Sequence, residues 1–241
     1  MIKFQTETTD ISRNIGIEMG KKQYGFTDID RLIIELIGTI AFSISGAMVG
    51  IRRKMDIFGV LVLGVVTAVG GGMMRDVILG KTPSAFVKPI YVEVAVISAL
   101  APFLLLSINK RLMHSKYQTL YAGLMFLMDS VGLGIFTAVG VSTGWTAGYH
   151  DNMFFLSFLG VLTGVGGGLL RDVMAGVPPY IFVKHVYACA SIAGAICCVL
   201  AYRSWGQIPA LVIGTVVVLV IRIGAAHYRW NLPCVKLEDE E

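Results

Sequence analysis

Two arginine–aspartate pairs, Arg75-Asp76 and Arg171-Asp172, are the side chains of this sequence best placed to do chemistry. Each pair follows a glycine triplet, Gly70-Gly71-Gly72 or Gly166-Gly167-Gly168, near the end of a long apolar run. Ionisable groups at membrane depth are costly and mark ion paths, relays or substrate sites by default. Glycine weakens a helix interior by roughly 1 kcal/mol per residue relative to alanine, so each triplet is expected to break its helix. A break frees carbonyls that can replace water around a cation. It also frees N–H groups whose positive dipole end favours a carboxylate. The same residues thus suit a cation pore or a small anionic or zwitterionic substrate. Adjacent residues do not face each other on a helix, so Arg75 is expected to meet Asp172 rather than Asp76.

Glu35 and Asp129 are a second acidic pair, within the first and fourth apolar runs. They can set a field that attracts cations, or they can serve as interhelical hydrogen-bond acceptors. Thr67 and Thr163 stand three residues before the triplets, where their hydroxyls could join in hydrating an ion. Close helix packing is the competing reading of the glycines, because small residues are common at membrane helix contacts.

The elements that must position these groups are membrane helices. The 241-residue chain is 55% hydrophobic and 15% charged, against about a quarter charged in soluble domains, and its mean hydropathy is +0.73. Apolar runs of about 20 residues cross roughly 30 Å of hydrocarbon. Seven are present, at about 32–50, 57–80, 90–108, 119–141, 153–175, 185–202 and 208–224. The expected organisation is a polar tail over 1–31, a three-helix repeat over 32–110 and a second over 119–202. A seventh helix over 207–224 and a cytoplasmic tail over 225–241 complete it. Part of the first tail, around residues 11–24, is expected to be helical.

The repeat extends beyond the triplets. At an offset of 96, Leu63-Gly64, Thr67, Gly80, Pro83, Phe86-Val87-Lys88 and Tyr91 recur as Leu159-Gly160, Thr163, Gly176, Pro179, Phe182-Val183-Lys184 and Tyr187. At an offset of 94, Glu35, Gly38 and Phe42 correspond to Asp129, Gly132 and Phe136. Three spans per copy is an odd number, so the second copy enters the membrane from the opposite side. Inverted repeats of this kind place a site near the midplane between the halves. Arg52, Arg53, Lys54, Lys110 and Arg111 weight the loops on the C-terminal side with positive charge. The expected orientation has the N-terminus outside and the C-terminus in the cytoplasm.

Several function classes are disfavoured. No H-E-x-x-H, G-x-S-x-G or P-loop motif is present, and the glycine triplets lie in membrane-length runs rather than strand–turn–helix units. The net charge of +4 belongs to basic loops and does not call for nucleic acid. Cys189, Cys197, Cys198 and Cys234 form no C-x-x-C pair and read as packing residues. No enzyme activity, cofactor or metal site beyond passing monovalent cations is expected.

The duplicated G-G-G-x-x-R-D-V phrase, in a three-plus-three-plus-one plan, resembles the prokaryotic trimeric intracellular cation (TRIC) channels. That family overlaps a set of bacterial proteins described as glycine transporters. The resemblance spans about residues 32–224. It implies an all-α membrane protein that assembles as a homotrimer in lipid, with a pore in each subunit bent at the triplets of spans two and five. It also implies conduction of K⁺ and Na⁺. Carried onto this chain, the pore elements are Gly70, Gly71, Gly72, Gly166, Gly167 and Gly168, with Arg75, Asp76, Arg171 and Asp172 beside them as gating or structural pairs. Animal members carry a lysine-containing motif where this chain has Met73-Met74-Arg75. A carrier of glycine or a similar zwitterion in the cell membrane is the alternative the residues leave open.

Overall fold

A computed structural model describes residues 28–108, 118–183 and 186–230. Two compact units are distinguished, residues 1–32 and 33–241. The described part of the first unit is the opening turn of a helix, and the charged residues singled out above lie in the second. The helix expected around residues 11–24 lies outside the described residues.

Among the described residues there are nine helices. They are α1 (Asp28–Arg52), α2 (Ile57–Ile78), α3 (Ser84–Val87), α4 (Ile90–Ile108), α5 (Gln118–Thr146), α6 (Met153–Met174), α7 (Tyr180–Val183), α8 (Tyr187–Trp205) and α9 (Gln207–His227). Seven are long and apolar enough to cross a membrane. Four expected boundaries move outward by three residues or more. The first helix opens at Asp28, inside the supposed tail, the fourth long helix continues to Thr146, the sixth to Trp205 and the last to His227. Polar or small residues at these ends carry too little hydropathy to count as span, yet they remain good enough helix formers to extend one.

The duplication is visible in the helix ends. Asp56 accepts a hydrogen bond from Gly59 N at 2.7 Å, and its counterpart Asn152 accepts from Phe155 N at 2.9 Å; both are N-caps satisfying an otherwise orphaned donor. At the other ends, Gly80 (φ 65°) and Gly176 (φ 64°) turn the chain left-handed. Their turns are closed by bonds from Lys81 N to Asp76 O at 2.9 Å and from Val177 N to Asp172 O at 3.0 Å. The short helices α3 and α7 follow Pro83 and Pro179 and had no signal in the hydropathy, being single turns.

The inversion is equally direct. Arg53, just past α1, donates to the carbonyls of Ala175 and Gly176 at 3.0 and 2.6 Å, so α6 ends beside the end of α1. Tyr91, at the start of α4, donates to Glu35 near the start of α1. The two copies therefore present their corresponding ends to opposite sides of the membrane.

One expectation is corrected. α2 is continuous from Ile57 to Ile78 and α6 from Met153 to Met174, so neither glycine triplet is a break between half-helices. The glycines act instead where α2 and α6 cross. A Cβ on Gly71 would lie 2.1 Å from the Thr163 carbonyl oxygen, and one on Gly167 would lie 2.1 Å from that of Thr67. Only a residue without a side chain permits this approach, and tight backbone-to-backbone packing offsets the lower helix propensity. Phe42 and Phe136, related by the duplication, pack beside the crossing with ring centroids 5.3 Å apart.

Candidate functional site

The charged residues gather into two half-sites, one for each copy. In the first, Arg75 Nε donates to Asp76 Oδ1 at 2.8 Å, and the other carboxylate oxygen accepts from Ser84 N at 2.7 Å and Ser84 Oγ at 2.8 Å. In the second, Arg171 Nε donates to Asp172 Oδ1 at 2.8 Å, while Oδ2 accepts from Tyr180 N at 2.8 Å. Each arginine thus pairs with the aspartate next to it, which corrects the expected Arg75–Asp172 contact. The cause is the aspartate's second task. It turns toward the helix end to hold the short helix that follows, and there the long guanidinium can fold back onto it. These pairs tie the ends of α2 and α6 to α3 and α7.

The half-sites then diverge. In the first, Glu35, Thr39, Gly72, Arg75, Asp76 and Tyr91 line a cavity of about 40 Å³, room for roughly two or three waters. Two carboxyl side chains, Glu35 and Asp76, and the Arg75 guanidinium line it together. Glu35 is 9% exposed and accepts the Tyr91 hydroxyl.

In the second half-site, Asp129 and Arg171 are fully buried. Arg171 Nη1 donates to Asp129 Oδ1 and to Ser45 Oγ, both at 2.6 Å, and Tyr180 lies 5.0 Å from the guanidinium carbon. Arg222, from the seventh span, brings its Nη2 to 3.4 Å from Asp129 Oδ2. Its guanidinium carbon stands 4.6 Å from the Phe126 ring and 4.8 Å from that of Tyr187, distances suited to cation–π attraction. Two guanidinium groups here balance two carboxylates. Toward the side where α1 ends, a cavity of about 290 Å³ opens between Val49, Arg52, Arg53, Asp172 and Tyr180.

Of the residues singled out by sequence, Glu35, Arg75 and Asp76 meet at the first half-site, and Asp129, Arg171 and Asp172 at the second. Thr67 and Thr163 are fully buried, and each hydroxyl donates to a carbonyl of its own helix, Leu63 O or Leu159 O, at 2.6 Å. They stand at the α1–α2 and α5–α6 contacts and line neither cavity. Sequence reasoning passed over Arg222 because the seventh span lies outside the duplication. Its signal was present all the same, as a lone arginine within an apolar run. Tyr91 was legible as the counterpart of Tyr187, though not as the partner of Glu35.

The comparisons with known proteins fit this arrangement. The family model described as "Glycine transporter" matches residues 32–107 and 126–203. The UPF0126 inner membrane protein YadS of Escherichia coli K12 is 37% identical over 210 residues, covering 86% of this chain and 96% of that protein. A structure solved to explain conductance through TRIC cation channels is 31% identical with a TM-score of 0.73, covering 86% of this chain and 98% of that one. The TRIC channel orthologue from Rhodobacter sphaeroides is 29% identical, also at a TM-score of 0.73, covering 83% of this chain and 98% of that one.

Proposed function

The chain belongs to the family of that model, and because it is also similar to UPF0126 membrane proteins and to prokaryotic TRIC channels, we propose that it is a cation channel of the bacterial inner membrane. The observation that carries the proposal is the pair of carboxylate-bearing half-sites at opposite ends of one α2–α6 crossing, in a fold that a TRIC cation channel shares along nearly its whole length. The finer reading is a monovalent channel for K⁺ and Na⁺, with a pore inside each subunit of a lipid-embedded homotrimer. Its N-terminus lies outside and its C-terminus in the cytoplasm.

In this reading ions enter the first cavity, drawn by Glu35 and Asp76, pass alongside the crossing at Gly70–Gly72 and Gly166–Gly168, and leave past Asp129 and Asp172. The arginines are compatible with cation passage because each is neutralised by an adjacent aspartate. An unpaired guanidinium at about 4 Å would oppose a cation by about 4 kcal/mol at an effective dielectric constant of about 20. Thr67 and Thr163 keep an acceptor lone pair each at the α1–α2 and α5–α6 contacts, so any part they take as oxygen ligands is from beside the crossing. The triplets act by letting two helices approach closely, a role that does not depend on broken backbone.

Purified protein in KCl-loaded proteoliposomes tests this reading. It should collapse a potassium gradient electrogenically and take up no more labelled glycine than empty vesicles. Saturable glycine uptake without electrogenic potassium flux would replace the channel by a carrier.

A further inference from the structure

The two half-sites are built from corresponding residues yet stand in different arrangements. In the first copy the Tyr91 hydroxyl is held by Glu35. A Cβ on Gly72 would find only Arg75 Nη2 nearby, at 3.8 Å, and the cavity lies there. In the second copy the Tyr187 hydroxyl sits against Gly168, where a Cβ would meet it at 2.9 Å. That hydroxyl is buried without a hydrogen-bond partner. The carboxylate corresponding to Glu35 is Asp129, and both its oxygens are engaged, Oδ1 by Arg171 and Oδ2 by Arg222. Arg222 comes from α9, which lies outside the duplication, so the repeat supplies no first-copy residue at its position.

A buried hydroxyl without a partner is costly, so Tyr187 has a standing drive toward an acceptor. Asp129 Oδ2 is the acceptor the repeat provides. Arg222 occupies it and also holds the Tyr187 ring by its cation face. From these contacts we infer that Arg222 is a latch for the second half-site. While it binds Asp129, Tyr187 stays over Gly168 and closes the path. When Arg222 withdraws, Tyr187 donates to Asp129 as Tyr91 does to Glu35, and a cavity like the first one opens beside Gly168. The latch rests on the channel reading for its purpose, and its geometry can be tested without any current.

The test places a reporter at Ser45, which is fully buried on the closed side of the second half-site, one turn deeper along α1 than the cavity-lining Val49. In a background with the native cysteines replaced, Ser45→Cys is labelled by a charged thiol reagent added from the side where α1 ends. Arg222→Met should raise the labelling rate roughly tenfold, a shift of about 1.4 kcal/mol in the closed–open balance. Arg222→Lys, which keeps the charge, should leave the rate near that of the parent. Tyr187→Phe added to Arg222→Met should return the rate toward the parent, because the ring remains and no hydroxyl seeks Asp129. General loosening by Arg222→Met would not be reversed in that way. Parent-like labelling in Arg222→Met, or no reversal by Tyr187→Phe, overturns the latch. Should Arg222→Met fail to assemble, Tyr187→Ala with Arg222 intact must raise labelling, and an unchanged rate overturns the proposal equally. Bilayer recordings of the same proteins should give unchanged unitary current with a roughly tenfold greater open fraction. If the labelling pattern holds and no variant conducts, the channel reading fails and the latch stands.

Discussion

Within one triplet, Gly71 and Gly72 should respond oppositely to the same substitution. Gly71→Ala places a methyl group 2.1 Å from the Thr163 carbonyl oxygen, so the α2–α6 crossing must widen by roughly 1 Å before the contact is tolerable. The obstacle is backbone, so no rotamer change relieves it. Overpacking of this kind costs about 1–3 kcal/mol, against a gain of up to about 1 kcal/mol in helix propensity. Gly72→Ala meets nothing closer than the flexible end of Arg75, at 3.8 Å, and should be neutral or stabilising by up to about 1 kcal/mol. Gly167→Ala should repeat the loss at Gly71, since its methyl would meet the Thr67 carbonyl at the same 2.1 Å. The double variant Gly71→Ala with Gly167→Ala should cost clearly less than the sum, because both methyl groups demand the same widening. Reversible unfolding of the purified protein in mixed detergent, followed by far-ultraviolet circular dichroism, measures all four. Equal stability for the Gly71→Ala and Gly72→Ala proteins, or strict additivity in the double variant, would refute the close-crossing account of the triplets.

Three other consequences can be checked separately. Asp172→Asn leaves the fully buried Arg171 with Asp129 as its remaining ionised partner and should lower stability by about 3 kcal/mol, at the low end for breaking a buried pair; the same unfolding assay reads it. Glu35→Gln removes one of the two carboxyl groups of the first cavity and should cut unitary conductance and cation-over-anion selectivity severalfold, with assembly unchanged by gel filtration; an unaltered current would remove Glu35 from the path. A fluorescent protein fused to the C-terminus should fluoresce, while alkaline phosphatase fused to the N-terminus should be active, and the reverse pattern would invert the proposed orientation.

Much of the fold was readable because hydropathy reports how long a span is and repetition reports how spans correspond. The seven spans, the inverted plan and the correspondence of Glu35 with Asp129 and of Arg75-Asp76 with Arg171-Asp172 all follow from those two signals, whereas the gathering of each acid beside its arginine does not. Helix continuity at the triplets was not readable. Propensity counts the cost of each glycine and is blind to the approach its missing side chain allows, here to the Thr67 and Thr163 carbonyls. The Arg75–Asp76 pairing was missed for a related reason. Helical spacing sets where side chains leave the backbone, yet Asp76 is turned by Ser84, which lies beyond the helix. Arg222 was missed because correspondence between copies directed attention to duplicated positions, and its partner Asp129 lies 93 residues away in sequence.

The central claim is that cations pass through this protein, and recording from the purified protein in planar bilayers under asymmetric KCl tests it most directly. Discrete unitary currents should appear and reverse near the potassium equilibrium potential, about 59 mV for a tenfold gradient. Bilayers that stay silent while the same preparation accumulates glycine in vesicles, or currents that reverse near the chloride potential, would contradict it.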